Sequence, residues 1–569
     1  MISCLPAPPR GNKAGRRSGQ VWALAVAALA LVAATPARAT GDLYGLVIGA
    51  NDYQAPIPAL DGAINDVEDV AAALRQNQAR RVWLLKDREA TRDRIFAAWH
   101  ELTSQARPGD SVVVHLAGHG ARSAEKVRGT GADGLDEFFV LPGFGAEGPA
   151  TRERVINKEW GGLLRQAPQL KILFIADTCY SGSMTRGYAP RRLHTRVAAP
   201  QPIELRDDAL PAPDPAQWVV TPDQLSHVVF FGAVGRDELD PEVLIDQRPR
   251  GALSWAVANG LRGAADFDHD GVVTKDELAR YVSDVVVTQT EGEQHPRIVS
   301  GKIDLSLPVA GQKARTDPPP QSPPLSLEIL AVSPEQARAL ADRLHGITLA
   351  PPRTPADLTW DVARGELRNG FQDVLVFAGA PTQPSAETTR DYHRVSPAGG
   401  TPGAGVTAPA AGGEPSLSRI QAAIDKEALA NWLVALTDRQ PLGLRLAPRD
   451  GVQHGGDHAT LSIGDTAPPP HLVVVNLGPT GNVNLIYPVA GDPPTLPSGQ
   501  PYRLDLTASP PFGAEHFVAF ASVRPLDALR QGVAAIDGQP RLDVLRRLVR
   551  EAWERGGLQV GVHPVFTVP

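Results

Sequence analysis

Cysteine is scarce in this sequence, because its 569 residues include only Cys4 and Cys179. A fold held together by several disulfides is therefore excluded. Cys4 lies in an N-terminal segment that we expect to be removed, so the mature chain would keep Cys179 and form no intramolecular disulfide. An unpaired thiol in an oxidising compartment is either buried and inert or chemically active, and composition leaves both possibilities open.

An excess of positive charge is also missing, since the formal net charge is -7. Without the positive electrostatic potential that an excess of lysine and arginine creates, binding to nucleic acid is not expected. The fractions of hydrophobic (42%) and charged (21%) residues are those of a globular protein. A chain of 569 residues is too long for one hydrophobic core, so we expect two or three domains.

The N-terminus lacks an apolar run long enough for a membrane-spanning helix. The run from Val21 to Ala34 is shorter than the roughly 20 residues that a spanning helix needs. Four basic residues precede it and Ala37-Arg38-Ala39 follows it, a pattern typical of a cleaved signal peptide. We therefore predict a signal peptide at residues 1–39 and an exported protein, periplasmic or secreted, with no membrane attachment after cleavage.

Proline and glycine cluster in two places, and these clusters predict the domain boundaries. Residues 308–324 are rich in proline, and residues 396–415 are rich in glycine, alanine and proline, so both read as linkers. The predicted domains are then residues 41–307 and a C-terminal region at 417–569. The segment between them, 325–395, is too weakly patterned to predict a fold or a function.

Apolar runs alternate with helical patterns in residues 41–307, which predicts an α/β fold with a mostly parallel sheet. In such sheets, ligands bind beyond the carboxyl ends of the strands. The predicted strands are Leu43–Ile48, Arg81–Leu85, Ser111–Leu116, Phe138–Leu141, Lys171–Ala176 and Val228–Val234, and the predicted helices are Ala63–Leu74, Arg92–Leu102, Lys158–Arg165 and Ala252–Leu261.

Two of these strands run directly into residues that are suited to nucleophilic catalysis. Ser111–Leu116 is followed closely by His119, and Lys171–Ala176 by Cys179, each within a turn of small residues. Neighbouring parallel strands would place the imidazole and the thiol on one edge, where His119 could help deprotonate Cys179. The backbone N–H groups of Gly120 and Cys179 are candidates for an oxyanion hole. Either residue alone is more often structural, but the pair favours catalysis.

These residues resemble the caspase superfamily, and within it the metacaspase and bacterial caspase-like branch. The resemblance covers roughly residues 42–305 and implies a caspase-like sheet sandwiched by helices. It also implies a cysteine-type endopeptidase that acts on proteins or peptides through a Cys179–His119 dyad. The Q-A-C-x-G signature of animal caspases is absent, so specificity for aspartate is not implied. The matching motifs are Tyr44–Gly49, Gly62–Asp66, Gly118–Gly120 and Asp177–Gly182.

The same resemblance implies an acidic S1 pocket formed by Asp66 and Asp177. Two carboxylates beside the thiol would select arginine or lysine at P1. Ala117 stands where related enzymes often carry a serine, so one polar contact of the pocket is missing. The alternative for Asp66 is a carboxylate that caps its own helix or lies in the first turn of that helix.

Residues 266–277 match the twelve-residue calcium loop of an EF-hand at its acidic, glycine and glutamate positions. We therefore expect bound Ca²⁺ and no organic cofactor. The alternative is a polar turn followed by a capped helix, and the pattern does not reveal whether calcium activates or only stabilises. The expected ligands are the carboxylates of Asp266, Asp268, Asp270 and Glu277 and the backbone carbonyl of Val272.

The segment Thr185–Leu225 is rich in arginine and proline and reads as an exposed loop. An enzyme with basic specificity could cut itself there, and a solvated insertion is an equally good interpretation.

The region beyond Leu417 begins with a predicted helix, Ser418–Leu436, and resembles a β-rich accessory domain of unknown function that is often joined to bacterial caspase-like proteins. It contains no evident catalytic cluster. A role in binding an unidentified protein partner is suggested only by analogy with such domains. The alternative for the whole chain is a catalytically silent caspase-like scaffold or receptor acting through this domain. Its other predicted strands and helices are Thr460–Ile463, His471–Leu477, Asn482–Ile486, Tyr502–Leu506, His516–Ala521, Leu526–Val533 and Leu542–Trp553.

Overall fold

The structure is a computed structural model that describes most of residues 41–568. The predicted signal peptide and most of both predicted linkers lie outside the described residues. None of the described helices is long and apolar enough to cross a membrane. The described residues are 41–130, 133–178, 201–211, 213–214, 218, 222–234, 240–267, 270–290, 294–299, 301–309, 323–352, 354, 356–370, 374–377, 392–394, 417–447, 452–464, 468–489, 491–493, 495–496 and 502–568.

The N-terminal region is built on a six-stranded sheet with helices on both faces. The strands of the whole region, inside and outside this sheet, are β1 Leu43–Gly49, β2 Arg81–Lys86, β3 Ser111–Ala117, β4 Gly120–Ala124, β5 Leu135–Val140, β6 Arg154–Ile156, β7 Lys171–Asp177, β8 Val228–Gly232, β9 Glu242–Ile245, β10 Arg248–Gly251, β11 Val272–Thr274, β12 Arg297–Val299 and β13 Ser306–Pro308. Its helices are α1 Ala63–Gln76, α2 Arg92–Gln105, α3 Asn157–Arg165, α4 Ala252–Asn259 and α5 Lys275–Gln289. The sheet order is β12-β8-β7-β3-β1-β2.

Five of these six strands run parallel, and β12 is antiparallel to β8. Each central strand is buried on both faces, because its alternating side chains enter two separate cores. One core packs Val47, Val113 and Leu173 against α1, α4 and α5. The other packs neighbouring strand residues against α2 and α3. The α/β prediction of a mostly parallel sheet between helices is confirmed.

The predicted strand Phe138–Leu141 lies largely within β5, but β5 is not part of the parallel sheet. It pairs with β4 and β6 in a separate antiparallel sheet. The physical reason is the connection from β4 to β5, residues 125–134, which is shorter than the roughly dozen residues that a parallel crossover needs. Parallel pairing needs a long crossover, whereas antiparallel pairing tolerates a tight reversal.

The segment after the proline-rich stretch forms a sheet that the sequence pattern did not reveal. Its order is β15-β14-β16-β17-β18. Its elements are β14 Leu325–Leu330, α6 Pro334–Ala341, β15 Ile347–Leu349, β16 Leu358–Asp361, β17 Glu366–Asn369 and β18 Val374–Phe377. Part of its core comes from a later helix, α7 Leu417–Thr437, through Ile420 and Ile424.

The C-terminal region packs two sheets face to face and covers one of them with helices. The sheet orders are β19-β25-β22-β20 and β21-β27-β26-β23-β24. One core lies between the sheets, and the other lies between the second sheet and α7, α8 and α9. The elements are β19 Tyr392–Arg394, β20 Leu444–Ala447, β21 Val452–His454, β22 His458–Ile463, β23 His471–Leu477, β24 Val483–Tyr487, β25 Tyr502–Ala508, β26 Ala514–Ser522, α8 Asp527–Ala534, α9 Leu542–Glu554 and β27 Leu558–Val568.

Helix α5 of the N-terminal region contacts the C-terminal region directly. The Tyr281 hydroxyl donates to the backbone carbonyl of Asp438. The Gln289 amide donates to both carboxylate oxygens of Asp438, at 3.0 and 2.9 Å. The Thr288 hydroxyl lies 3.4 Å from the carbonyl oxygen of Val562 in β27. These polar contacts join the two regions through one helix.

Candidate active site

The carboxyl ends of β3 and β7 lie side by side, as the sequence predicts. Ala117 pairs with Asp177, and the backbone N–H of Gly118 donates to the carbonyl of Asp177 at 3.3 Å. His119 follows β3 by two residues at this edge. Cys179 follows Asp177 by two residues and lies outside the described residues. The edge therefore carries the imidazole beside Asp177, which precedes Cys179 by two residues in the sequence.

The imidazole of His119 is buried and held by two residues of the loop after β1. Its Nε2 lies 2.8 Å from the carbonyl oxygen of Pro58. Because a carbonyl only accepts, Nε2 must carry a proton, and in the neutral ring Nδ1 then has the lone pair that a general base needs. The backbone N–H of His119 donates to the Tyr53 hydroxyl at 2.9 Å, and the two rings lie 4.7 Å apart.

Glycine is required next to this histidine. A Cβ on Gly118 would lie 2.5 Å from the Tyr53 hydroxyl and 3.1 Å from the ring of Phe139, and its φ of 152° is rare for other residues. Gly120 begins β4 and pairs with Phe139. Since the N–H of Cys179 lies outside the described residues, the predicted oxyanion hole of Gly120 and Cys179 stays a prediction.

Asp66 and Asp177 are both fully buried and both face the start of helix α4. The two carboxylate oxygens of Asp66 accept from the backbone N–H of Gly251, at 3.0 and 3.1 Å. One carboxylate oxygen of Asp177 accepts from the backbone N–H of Ser254, at 2.9 Å, and from its hydroxyl. The positive end of a helix dipole favours anions, and the start of α4 presents backbone N–H groups to both carboxylates.

The contacts of Asp66 bear on the alternative that this carboxylate belongs to the start of its own helix. Asp66 does lie in the first turn of its own helix, α1. Its two carboxylate bonds nevertheless go to Gly251, which is 185 residues away in sequence. The carboxylate therefore lies in the first turn of α1, as the alternative has it, and also connects α1 to the start of α4.

The hairpin β9–β10 holds the two helix starts together. Glu242 is buried, and its carboxylate accepts from the backbone N–H groups of Asp61 and Gly62 at 2.9 and 2.7 Å. The Asn65 amide donates to the carbonyl of Pro249 at 2.9 Å. Because the same hairpin leads directly into α4, the segment before α1 and the start of α4 are fixed relative to each other. No local sequence pattern indicates a role for Glu242, Pro58 or Tyr53 at this site.

The first half of the calcium loop folds around Asp266. Its carboxylate accepts from the backbone N–H groups of Asp270 and Gly271, both at 3.1 Å. Gly271 has a φ of 85°, the left-handed turn that the EF-hand pattern demands at this position. Val272 begins β11, which pairs with β13. Asp268 lies outside the described residues.

The second half of the loop is organised by Glu277 at the start of α5. One carboxylate oxygen accepts from the backbone N–H of Phe267 at 3.2 Å, and the other from the backbone N–H and hydroxyl of Thr274 at 2.9 and 2.7 Å. The capped-helix alternative is thus partly realised. Carboxylate oxygens are the donors that calcium prefers, although no group of three or more metal-binding side chains occurs among the described residues.

Part of the segment predicted as an exposed loop packs against the domain. Leu210 and Trp218 are buried in a cluster with Phe138, so the described part is not a fully solvated insertion. Asp208 forms ion pairs with Arg154 and Lys126, which lower the pKa of its partly buried carboxyl to about 2 against the cost of burial. The other arginines that motivated the self-cleavage hypothesis, Arg186, Arg191, Arg192 and Arg196, lie outside the described residues, and Arg206 is exposed.

Comparison with known proteins finds that the N-terminal region is similar to metacaspases. Residues 44–186 match the family model described as metacaspase, peptidase C14 domain. Metacaspase-1 of Botryotinia fuckeliana is 30% identical over 190 residues, which cover 31% of this chain and 41% of that protein. Metacaspase-1B of Neosartorya fischeri is 26% identical over 262 residues, which cover 39% of this chain and 62% of that protein. The chain thus spans less than two thirds of these relatives.

The solved structures include a more distant similarity. The structure of pro-sf-caspase-1 is matched over 46% of this chain and 88% of that one, with 11% identity and a TM-score of 0.30. Values this low support no argument about the site.

Proposed function

Because the N-terminal region belongs to the caspase superfamily of cysteine peptidases, through its metacaspase C14 domain at residues 44–186, we propose that this protein is a cysteine-type endopeptidase specific for arginine or lysine at P1. The observation that carries the proposal is the sheet edge at which β3 ends two residues before His119 and the neighbouring strand β7 ends at Asp177. The edge combines an oriented imidazole with a buried carboxylate two residues before the only cysteine of the predicted mature chain.

In the proposed reaction, Nδ1 of His119 takes the proton of the Cys179 thiol, and the sulfur attacks the scissile carbonyl carbon. The developing oxyanion would be stabilised by the backbone N–H groups of Gly120 and Cys179. Collapse of this intermediate breaks the C–N bond, and His119 returns the proton to the leaving amine. Water, deprotonated by His119, then hydrolyses the thioester and regenerates the thiol.

The orientation of His119 supports its role as the base. The Pro58 carbonyl holds the proton on Nε2, so the nitrogen with the lone pair is determined before any substrate binds. The Tyr53 hydroxyl accepts from the backbone of His119 and limits movement of the ring. A base that is positioned in advance needs less reorganisation during proton transfer.

The proposed specificity for arginine or lysine at P1 is based on the carboxylates of Asp66 and Asp177. Both carboxylates are buried, where an ion pair with a cationic P1 side chain is stronger than in water. Hydrogen bonds from the start of α4 offset part of the cost of burying these charges. A planar guanidinium can bind carboxylates in bidentate fashion, so arginine fits this pair well.

We also propose that Ca²⁺ binds the loop at residues 266–277, with Asp266, Asp270 and Glu277 among its ligands. Hard oxygen donors and the turn at Gly271 support this assignment. Calcium would fix the start of α5, which packs against α4. Export to the periplasm or the medium, and self-cleavage within residues 185–225, are proposals that rest on the sequence.

Active-site labelling tests the proposed function. The full-length chain is incubated with an arginyl chloromethyl ketone, with and without calcium, and the modified residue is located by mass spectrometry. Modification confined to Cys179, reduced in His119→Ala and absent in Cys179→Ala, is the expected result. No labelling under either condition would contradict the peptidase and favour the scaffold alternative.

A further inference from the structure

A chain of three buried polar side chains lies beneath the sheet edge. Asp177 in β7, Ser254 in α4 and His115 in β3 are each 0% exposed. The Ser254 hydroxyl donates to Oδ2 of Asp177, and His115 Nε2 lies 2.8 Å from the same hydroxyl oxygen. The Ser254 backbone N–H also donates to Oδ2, at 2.9 Å. One serine thus connects the carboxylate to a histidine deep in the sheet.

The protons in this chain have one consistent direction. An ionised carboxylate only accepts, so the single hydroxyl proton of Ser254 belongs to the bond with Asp177. The oxygen of Ser254 must then accept from His115, whose Nε2 carries a proton. The order is therefore His115 to Ser254 to Asp177, and each donor stabilises the negative charge at the end of the chain.

This network occurs where an apolar core would otherwise continue. His115 lies in a strand whose neighbours Val114 and Leu116 are fully buried, and Ser254 lies in an α4 sequence dominated by apolar residues. Burying three polar groups costs free energy unless they are all hydrogen-bonded. Their shared end point is the carboxylate of the proposed S1 pocket, which gives the network a specific role.

We propose that Ser254 is a positioning residue for substrate specificity, which fixes the Asp177 carboxylate as the acceptor for a cationic P1 side chain. His115 acts behind it by holding the hydroxyl oxygen. The inference rests on the proposed peptidase function and deepens it. Neither residue contacts the scissile bond, so their effect falls on recognition of P1 and not on the chemical step.

The test compares two fluorogenic peptides that differ only in arginine or citrulline at P1, since citrulline has the same shape without the charge. For Ser254→Ala in the full-length chain, kcat/KM on the arginyl peptide should fall about ten-fold, mostly through KM. On the citrullyl peptide it should change less than about three-fold, because a neutral group depends little on the carboxylate.

Three further variants separate positioning from folding. Ser254→Thr keeps the hydroxyl and should retain the arginine preference, and His115→Gln should reduce the preference in the same direction as Ser254→Ala. His227→Gln is the matched control, because His227 is another buried histidine whose Nε2 bonds to a backbone carbonyl, that of Leu164, at 2.9 Å. It should leave the ratio of the two substrates unchanged.

An unchanged ratio in Ser254→Ala and His115→Gln, or equal losses on both peptides, would overturn the inference while leaving the peptidase intact. A wild-type chain that cleaves neither peptide, or a Cys179→Ala variant as active as wild type, would instead refute the proposed function and this inference with it.

Discussion

Tyr53 and His119 are joined by a hydrogen bond from backbone to hydroxyl and by contact between their rings. The Tyr53→Phe variant keeps the ring contact but removes the acceptor of a buried N–H. Leaving this donor without its acceptor should lower the free energy of unfolding by about 1 to 3 kcal/mol. We expect kcat to fall several-fold on all P1 substrates alike, with little change in KM.

Steady-state kinetics on arginyl and lysyl peptides measure this effect. Tyr44→Phe is the control, because the Tyr44 hydroxyl contacts the Gln105 carbonyl away from the sheet edge. A change confined to KM would show that Tyr53 acts on binding and would contradict its proposed role.

The second prediction concerns Asp66, whose replacement by asparagine removes the charge and keeps an oxygen that can accept from Gly251. We expect Asp66→Asn to lower kcat/KM on arginyl peptides by roughly ten- to a hundred-fold, because a charged partner of the guanidinium is lost. Asp177→Ala should cost on the order of 2 to 5 kcal/mol in transition-state binding.

Glu68→Gln provides the matched control, since Glu68 is exposed on the same helix and pairs with Lys86. Equal losses on arginyl and neutral substrates, or a preference for aspartate at P1, would refute the assignment of the pocket.

The parts of the site that the sequence predicts are those set by local pattern. β1, β3 and β7 extend the predicted strands by one residue each, because continuous apolar runs end at small or polar residues. The position of His119 after its strand follows from the same pattern. Local pattern also explains why the antiparallel position of β5 was missed, since pairing depends on the connection and not on the strand itself.

Contacts between distant residues account for what the sequence analysis missed. The partners Ser254 and Asp177 are 77 residues apart in sequence, His119 and Pro58 are 61 apart, and Glu242 and Gly62 are 180 apart. A serine inside an apolar helix looks like an ordinary core residue until the opposite strand is known. No periodicity or motif in one sequence carries that information.

Calcium binding is tested with Glu277→Gln. If calcium occupies the loop, it should raise the melting temperature of the wild type, and the variant should bind it more weakly and lose most of this increase. Without calcium, the variant should melt at a slightly lower temperature than the wild type, because glutamine can still accept from Thr274 but loses the acceptor for the backbone N–H of Phe267.

Isothermal titration calorimetry and thermal melting, each with and without a chelator, measure the two effects. Asp276→Asn is the control, since Asp276 is the exposed neighbour of Glu277 and has the same charge. Absence of calcium binding to the wild type would remove the calcium proposal.

The contact between the two regions predicts a pH dependence of stability. Burial raises the pKa of Asp438 from 3.8 to about 7. The folded chain therefore keeps this proton up to about pH 7, whereas the unfolded chain releases it near pH 4. The contribution of Asp438 to the free energy of unfolding should fall as pH rises between these values, by on the order of 4 kcal/mol.

Asp438→Asn removes the titration and retains an acceptor for Gln289. It should melt at a higher temperature than the wild type at pH 8 and at a similar temperature at pH 4. Asp527→Asn, at an exposed position in α8, should not alter the pH profile. Scanning calorimetry that finds the Asp438 variant less stable at pH 8 would contradict the prediction.

Helix α5 has two sets of neighbours, and this limits how the protein can be dissected and how it can evolve. Val282 and Val285 belong to the core of the N-terminal region, while Tyr281, Thr288 and Gln289 make hydrogen bonds to the C-terminal region. Separating the regions would leave these three side chains facing water without their present partners. Recombination that exchanged one region for an unrelated one would therefore have to be accompanied by new residues on α5.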